Sequence, residues 1–285
     1  MKRKVDVMNR KLFVAYRIYP KLSKNADTTL FKNKYEMFVG SLNSFLKALE
    51  GVDYHIHFIL DSCPQNYSEF IKGKVPESRF DIENLVDAGN AKTFKRQVEV
   101  LLKQNFSELV YFAEDDYLYY PNSIIKLIDF LSKGYAHFVS PYDHPDYYAD
   151  SFCYKKYLHD YASKIFYNDG LHFRVSSSTT LTFLTSTKIL SEVTKVFQLY
   201  GHNSIGDYEV WIILTHTKML SNNLKSSFFM YLKAPIHMLF KSRYLLCTPV
   251  PGLAVHLSKP CTEKMAYSLQ SVLKSNGGDL SYATN

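Results

Sequence analysis

The 285 residues carry 34 Lys and Arg against 27 Asp and Glu, a net charge of +7, and 46% of them are apolar. A chain of this length buries roughly three quarters of its unfolded surface, which excludes a disulfide-stapled mini-fold and leaves room for one large α/β domain or two small ones. The apolar share excludes disorder along the whole chain, and the aromatics, 23 Tyr and 20 Phe against one Trp, form surfaces that suit sugars, bases and interfaces.

Lys11 to Tyr19 is an apolar run of strand length ended by Pro20. After a polar loop, Tyr35 to Leu49 sets Phe38, Leu42, Phe45, Leu46 and Leu49 at helical spacing, and Gly51 stops that helix. Tyr54 to Leu60 predicts a second strand whose end carries Asp61-Ser62-Cys63-Pro64. Strand, helix, strand in this order implies a parallel unit. Asn84 to Asp87 reads as a short third strand, and Gly89-Asn90 turns into a helix from about Lys92 to Gln104. Leu109 to Ala113 is a fourth strand ending in Glu114-Asp115-Asp116. Pro121 and Asn122 open a helix through Leu131, and Tyr135 to Ser140 predicts a further strand.

The second half is less regular. Ser140 to Pro145 is a loop holding Asp143 and His144, followed by an aromatic-rich stretch to Tyr167. Phe173 to Ser176 and Thr180 to Leu184 read as strands, and Ser186 to Tyr200 and Asp207 to Leu220 as helices. Pro251 to Leu257 is a strand-like run containing His256. The expected fold is a Rossmann-like, mostly parallel α/β sheet flanked by helices.

Cys63, Cys153, Cys247 and Cys261 are far apart and show no CxxC spacing, which points to a reducing compartment. Met1 to Lys4 is basic but no apolar core follows, and Phe228 to Phe240 is too short and too interrupted to span a bilayer. These features predict a cytoplasmic protein, with the positive charge suited to peripheral contact at the anionic cytoplasmic face of a membrane. Lys and Arg are dispersed and no nucleic-acid-binding pattern occurs, so phosphate-bearing ligands are expected rather than nucleic acid. The oligomeric state is left open.

In an open parallel sheet, ligands bind beyond the carboxyl ends of the strands where strand order reverses. Three predicted strand ends carry polar residues: Arg17 and Tyr19, then Asp61, then Glu114, Asp115 and Asp116. Three adjacent acids after a buried run repel one another and resist desolvation. A divalent cation, Mg²⁺ or Mn²⁺ bridging nucleotide phosphates, would relieve that cost. Acids favoured at the N-terminus of the following helix are the alternative.

The segment Val110 to Leu118, with its Glu-Asp-Asp core, resembles the metal-binding DxD segment of GT-A fold glycosyltransferases, in the form seen in some inverting N-acetylglucosaminyltransferases. The resemblance implies that Asp116 coordinates the metal, Asp115 approaches the ribose and Asp61 contacts the nucleobase. It places Arg17 and Tyr19 along the nucleotide cleft, with Asn90, Thr93 and Arg96 facing it from the helix that precedes the acidic strand. Asp207, with Glu209 as the alternative, would be the catalytic base, and His256 would complete the metal's coordination. Asp143 and Arg174 are candidates for shaping the sugar and acceptor pockets.

The resemblance further implies a nucleotide-sugar donor and a glycan or lipid-linked acceptor. Residues 1–140 would form the nucleotide-sugar half and 141–285 the acceptor-binding and catalytic half of one domain. The Asp61-Ser62-Cys63-Pro64 turn replaces a glycine- and serine-rich turn, and a late histidine also occurs in retaining enzymes, so the stereochemistry stays open. Two other classes compete: a sugar-nucleotide nucleotidyltransferase, which should carry a Gly-rich basic loop where Tyr19-Pro20-Lys21-Leu22 stands, and a non-catalytic carbohydrate-binding protein.

Overall fold

The computed structural model describes residues 10–148, 164–202, 205–216, 243–259 and 266–277. The Met1 to Lys4 segment, Cys153 and Cys261, the Phe228 to Phe240 run and the far end of the helix expected to reach Leu220 lie outside these residues.

The first half alternates as the sequence suggests: β1 (Lys11–Ile18), α1 (Lys34–Ala48), β2 (Asp53–Asp61), α2 (Gln65–Lys74), β3 (Phe80–Leu85), α3 (Gly89–Lys103), β4 (Leu109–Glu114), β5 (Tyr117–Tyr119) and α4 (Ser123–Ser132). It continues through β6 (Phe138–Val139), β7 (Ile165–Asn168), β8 (Leu171–Ser176), β9 (Phe183–Ser186), α5 (Thr187–Phe197), α6 (Asp207–Thr215), β10 (Leu246–Val250), β11 (Ala254–His256) and α7 (Ala266–Ser275). Nine strands form one sheet in the order β3-β2-β1-β4-β9-β6-β10-β8-β7. β9 and β8 run against the other seven, so the sheet is mixed and mostly parallel, with helices on its faces.

β1 shows how the sequence sets the layers. Its side chains alternate across the sheet: Leu12, Val14, Tyr16 and Ile18 pack with Phe38, Leu42 and Phe45 of α1, while Phe13 and Ala15 pack with Phe94, Val98 and Leu101 of α3. Arg17 continues the second set, which carries its guanidinium toward the start of α3. Asn33 caps α1 by accepting the Glu36 N–H at 2.9 Å, satisfying one of the donors a helix start leaves open.

Several boundaries differ from expectation. The third strand lies upstream, at Phe80–Leu85, where Phe80, Ile82 and Leu85 are interleaved with Asp81, Glu83 and Asn84. Asp87 instead takes a left-handed φ of 47° and turns the chain. The strand expected at Tyr135 to Ser140 shortens to Phe138–Val139, because Gly134 closes the preceding helix with φ 72° and both the His137 and Phe138 N–H groups donate to the Leu245 carbonyl. The strand expected at Thr180 to Leu184 begins at Phe183, freeing Thr180 and Thr182 for side-chain bonds. α2, β5, β7, β10 and α7 were not anticipated. Among the described residues no helix is long and apolar enough to cross a membrane.

Candidate active site

β1 is flanked by β2 on one side and β4 on the other, so strand order reverses there and a crevice opens beyond their carboxyl ends. The crevice is a cavity of about 350 Å³ lined by Arg17, Tyr19, Asp61, Asn90, Thr93, Glu114, Asp115 and Asp116, with Lys21 and Lys34. A volume on this order suits a small-molecule ligand. The structure thus brings together the residues singled out on three strand ends and at the start of α3. Arg96 is not among them: its guanidinium bonds Glu83 at 2.9 Å and Glu99 at 2.8 Å.

The three acids are not a bare cluster: each faces a basic side chain of its own. Glu114 pairs with Arg17 and accepts the Thr182 hydroxyl at 2.8 Å. Asp115 pairs with the buried Lys34 ammonium at 2.8 Å and accepts the Tyr19 N–H at 3.1 Å. Asp116 faces His256 Nε2 at 3.3 Å. Arg17 and Lys34 are permanent cations, whereas His256 is one only when its ring is protonated.

Burial raises the Asp115 carboxyl above its ordinary value, and the charge of Lys34 offsets this only in part. For Asp116 burial pushes the same way, but the charges of His256, Lys34 and Arg17 and the His256 hydrogen bond hold it well below the carboxylate range. For His256 burial favours the neutral ring, while Asp116, Glu114 and Asp207 raise its value.

The placement of His256 follows from a two-stranded ribbon. β11 pairs antiparallel with β5, setting His256 opposite Tyr117, and the Leu257 N–H donates to the Asp116 carbonyl at 2.8 Å. The His256 ring stacks on Tyr117, 4.6 Å between centroids and 9° between planes. Asp116 Oδ1 is shielded from water and has no hydrogen-bond partner among the described residues. A shielded carboxylate oxygen without a donor is costly, and a cation would complete it; Asp116 and His256 therefore fit a divalent ion. Among the described residues no three His, Cys, Asp or Glu side chains converge to hold a metal. The protein would supply two ligands, as expected where phosphate oxygens and water fill the remaining positions.

Asp61 lines the crevice, but its carboxylate is engaged elsewhere. Oδ1 accepts the Ala88 N–H at 3.0 Å and Oδ2 the Gly89 N–H at 2.7 Å, so β2 caps α3 from outside the helix. Gly89 has φ 74°, a conformation few other residues adopt. Asn90 accepts from Arg17 and donates to the Tyr200 hydroxyl at 2.8 Å. Tyr200 comes this close because the next residue, Gly201, passes α3 where an added Cβ would stand 2.3 Å from that of Ala91. Thr93 turns its hydroxyl back onto the Gly89 and Asn90 carbonyls, each at 3.0 Å.

Asp207 and Glu209 open α6, and they divide their work. Glu209 accepts the Gly206 N–H at 2.9 Å and so caps the helix. Among the described residues Asp207 accepts only the adjacent Tyr208 N–H, at 2.8 Å. Burial raises the Asp207 carboxyl, the Glu114 and Glu209 charges add to this, and His256 opposes it. Asp207 is thus within electrostatic reach of both Glu114 and His256. Thr180 ties α6 to the ribbon: its carbonyl accepts from Trp211 Nε1 at 3.1 Å and its hydroxyl from Tyr117 at 2.8 Å.

Asp143 is buried and pairs with Arg174 at 2.7 Å, and the guanidinium lies 4.3 Å over the Tyr147 ring. Lys34, Thr182, Tyr200 and Gln97 were missed in the sequence. Gln97 had a signal, a polar residue inside the apolar stripe of α3; its Nε2 bridges the carbonyls of Ala15 and Ala113 at 2.7 and 3.1 Å, bracing β1 to β4 below the crevice.

No protein-family model matches the sequence, and no curated protein matches it. Among solved structures, the galactosyltransferase LgtC in complex with donor and acceptor sugar analogs is similar with a TM-score of 0.48 at 9% identity, over 93% of this chain and 95% of that one. TarS of S. aureus in complex with UDP-GlcNAc is similar with a TM-score of 0.43 at 13% identity, over 71% of this chain and 52% of that one. The 4-diphosphocytidyl-2C-methyl-D-erythritol synthase of Anaerococcus prevotii gives 0.41 at 13%, over 71% and 84%. With identities of 9–13% and TM-scores below 0.5, these similarities assign no role to any residue.

Proposed function

We propose that this chain is a metal-assisted glycosyltransferase that moves a sugar from a nucleotide-sugar to a hydroxyl of a glycan or lipid-linked acceptor. The observation that carries the reading is the shielded, unpartnered Oδ1 of Asp116 beside His256, at a crevice on the switch point of the sheet. In this reading residues 1–140 hold the nucleotide-sugar and 141–285 the acceptor and the base. Asp116 and His256 would hold Mn²⁺ or Mg²⁺, which supplies charge neutralisation at the departing diphosphate.

The remaining chemistry belongs to the chain. Arg17, fixed between Asn90 and Glu114, and Lys34, fixed on Asp115, are rigid positive walls that need no reorganisation as charge develops on the leaving group. Asp115 and Tyr19 shape the ribose side of the crevice. Asp207, raised toward neutrality by burial and with Glu209 relieving it of the capping duty, takes the proton of the acceptor hydroxyl. The hydroxyl oxygen bonds to the anomeric carbon as the bond to the diphosphate oxygen breaks, a single displacement with inversion. Asp61, occupied by two backbone N–H groups, holds the crevice wall.

Following the melting temperature while titrating Mn²⁺ and a panel of nucleoside diphosphates tests the reading. Joint stabilisation beyond that by either alone is expected, because ligands that bind the native state cooperatively add to its stability. Strictly independent effects, or none, reject it.

A further inference from the structure

Beyond the Asp116–His256 pair, buried Tyr142 and Asp143 lead to a shelf with exposed aromatic rings. Tyr142 meets His256 edge to face at 5.7 Å. The next residue, Asp143, binds Arg174 at 2.7 Å and accepts the Tyr148 hydroxyl, whose ring is 40% exposed. Arg174 lies on β8, directly opposite Ile165 of β7, and His172 lies opposite Tyr167. Cross-strand partners share a face, and one row of side chains along a strand is about 7 Å. Ile165 and Tyr167 are 67% and 68% exposed, and Tyr167 leans on His172 with 5.5 Å between ring centroids.

We infer that this shelf, from Tyr148 across Arg174 to Tyr167, is a binding surface for an extended glycan, with its inner end at the proposed transfer site. The inference rests on the transferase reading for the direction of the chain, but not for the binding itself. The shelf alternates flat rings with hydrogen-bonding groups. A pyranose presents the matching pattern: C–H bonds on one face, which are drawn to the negative face of a ring, and hydroxyls around its edge for Arg174 and His172. A protein partner needs about 800 Å² on each side, whereas two partly exposed tyrosines and one isoleucine offer on the order of 300–400 Å². Rings set apart by a row of polar side chains suit a ligand made of repeating units.

Isothermal titration of the full chain with cellobiose, cellopentaose, chitobiose and chitopentaose tests this without nucleotide or metal. For at least one series the pentasaccharide should bind more tightly than the disaccharide, and Tyr167→Ala, a change at an exposed ring, should weaken the pentasaccharide by about three- to tenfold while leaving the disaccharide unchanged. Equal affinity for short and long sugars, no binding in either series, or an unaltered pentasaccharide affinity in Tyr167→Ala overturns the inference. Length-dependent binding in a protein that shows no joint stabilisation by Mn²⁺ and nucleoside diphosphate would keep the shelf and reject the transferase.

Discussion

Lys34, at the start of α1, donates to the carboxylate of Asp115, at the end of β4, at 2.8 Å across 81 residues of chain. Both side chains are buried, 8% and 9% exposed. With Arg17 on Glu114 and His256 on Asp116, this pair gives each acid of the triplet a partner of its own, and among the described residues only Asp116 keeps a shielded oxygen without one. The site is asymmetric as a result: two acids build walls and the third is left for a ligand.

Removing Lys34 should therefore act on stability first. Lys34→Met leaves a buried carboxylate without its cation, a change that costs about 3–5 kcal/mol for a pair of this kind. Lys34→Met combined with Asp115→Asn should recover most of that loss, since the amide oxygen still accepts the Tyr19 N–H. Denaturant titrations of the three variants would show it; equal stability of Lys34→Met and wild type would mean that the pair does not hold the strand end.

Asp116→Ala should abolish Mn²⁺-dependent binding of nucleoside diphosphate. Partners that merely orient metal ligands are worth about 10–100-fold in affinity, and loss of a direct ligand should exceed that. His256→Ala should weaken the same binding less, because water or phosphate oxygen can take its position. Calorimetric titration in the presence and absence of Mn²⁺ reads both, and an Asp116→Ala variant with wild-type metal dependence would move the cation elsewhere.

The Asp116–His256 contact also sets a pH dependence for the metal-free protein. His256 has its folded value raised above 6.5, so its contribution is complete below that pH and is lost as pH climbs through the raised value. Asp116 is held below 3.8, so its contribution is present above that pH and is lost only on strong acidification. Melting temperature should accordingly fall as pH rises above about 6.5, the ordinary histidine value, and the fall should be smaller in His256→Gln. Added Mn²⁺ should flatten the wild-type slope, since the neutral ring that appears there is the form able to bind it. Parallel pH curves for wild type and His256→Gln would show that the pair contributes no linkage.

The parts of this site that were legible in the sequence are those fixed by local periodicity. An apolar run from Lys11 to Tyr19 placed Arg17 near a strand end, a second run placed Glu114 to Asp116 at another, and Gly89-Asn90 marked a helix start. What the residues do to each other depends on contacts across long stretches of chain. Asp61 could be placed at a strand end, but not its use as a cap for α3, because the Ala88 and Gly89 N–H groups reach it only once β2 and β3 pair. Lys34 gave no signal, being an ordinary lysine in the first turn of an amphipathic helix. The third strand was misplaced because its alternation with Asp81 and Glu83 reads as polar loop unless period two is counted. A sheet edge tolerates such residues.

The division of labour between Asp207 and Glu209 gives the sharpest test of mechanism. Glu209 holds the Gly206 N–H, so Glu209→Gln, which keeps an accepting oxygen, should change stability by less than about 1 kcal/mol, as expected when a cap is retained, and leave turnover within a few-fold of wild type. Asp207→Asn keeps the bond from the Tyr208 N–H and the shape of the helix start, yet an amide cannot accept a proton from an attacking hydroxyl. Turnover should drop by about 10²–10⁴-fold, the scale of general base catalysis, with nucleotide affinity unchanged. Because burial and the Glu114 charge raise the Asp207 carboxyl, the acidic limb of the wild-type rate profile should lie above the pH at which a free carboxylate titrates. That limb should vanish in Asp207→Asn. Loss of turnover in Glu209→Gln with Asp207→Asn active would transfer the role of base to Glu209; activity in both would exclude a displacement assisted by either acid and favour transfer with retention.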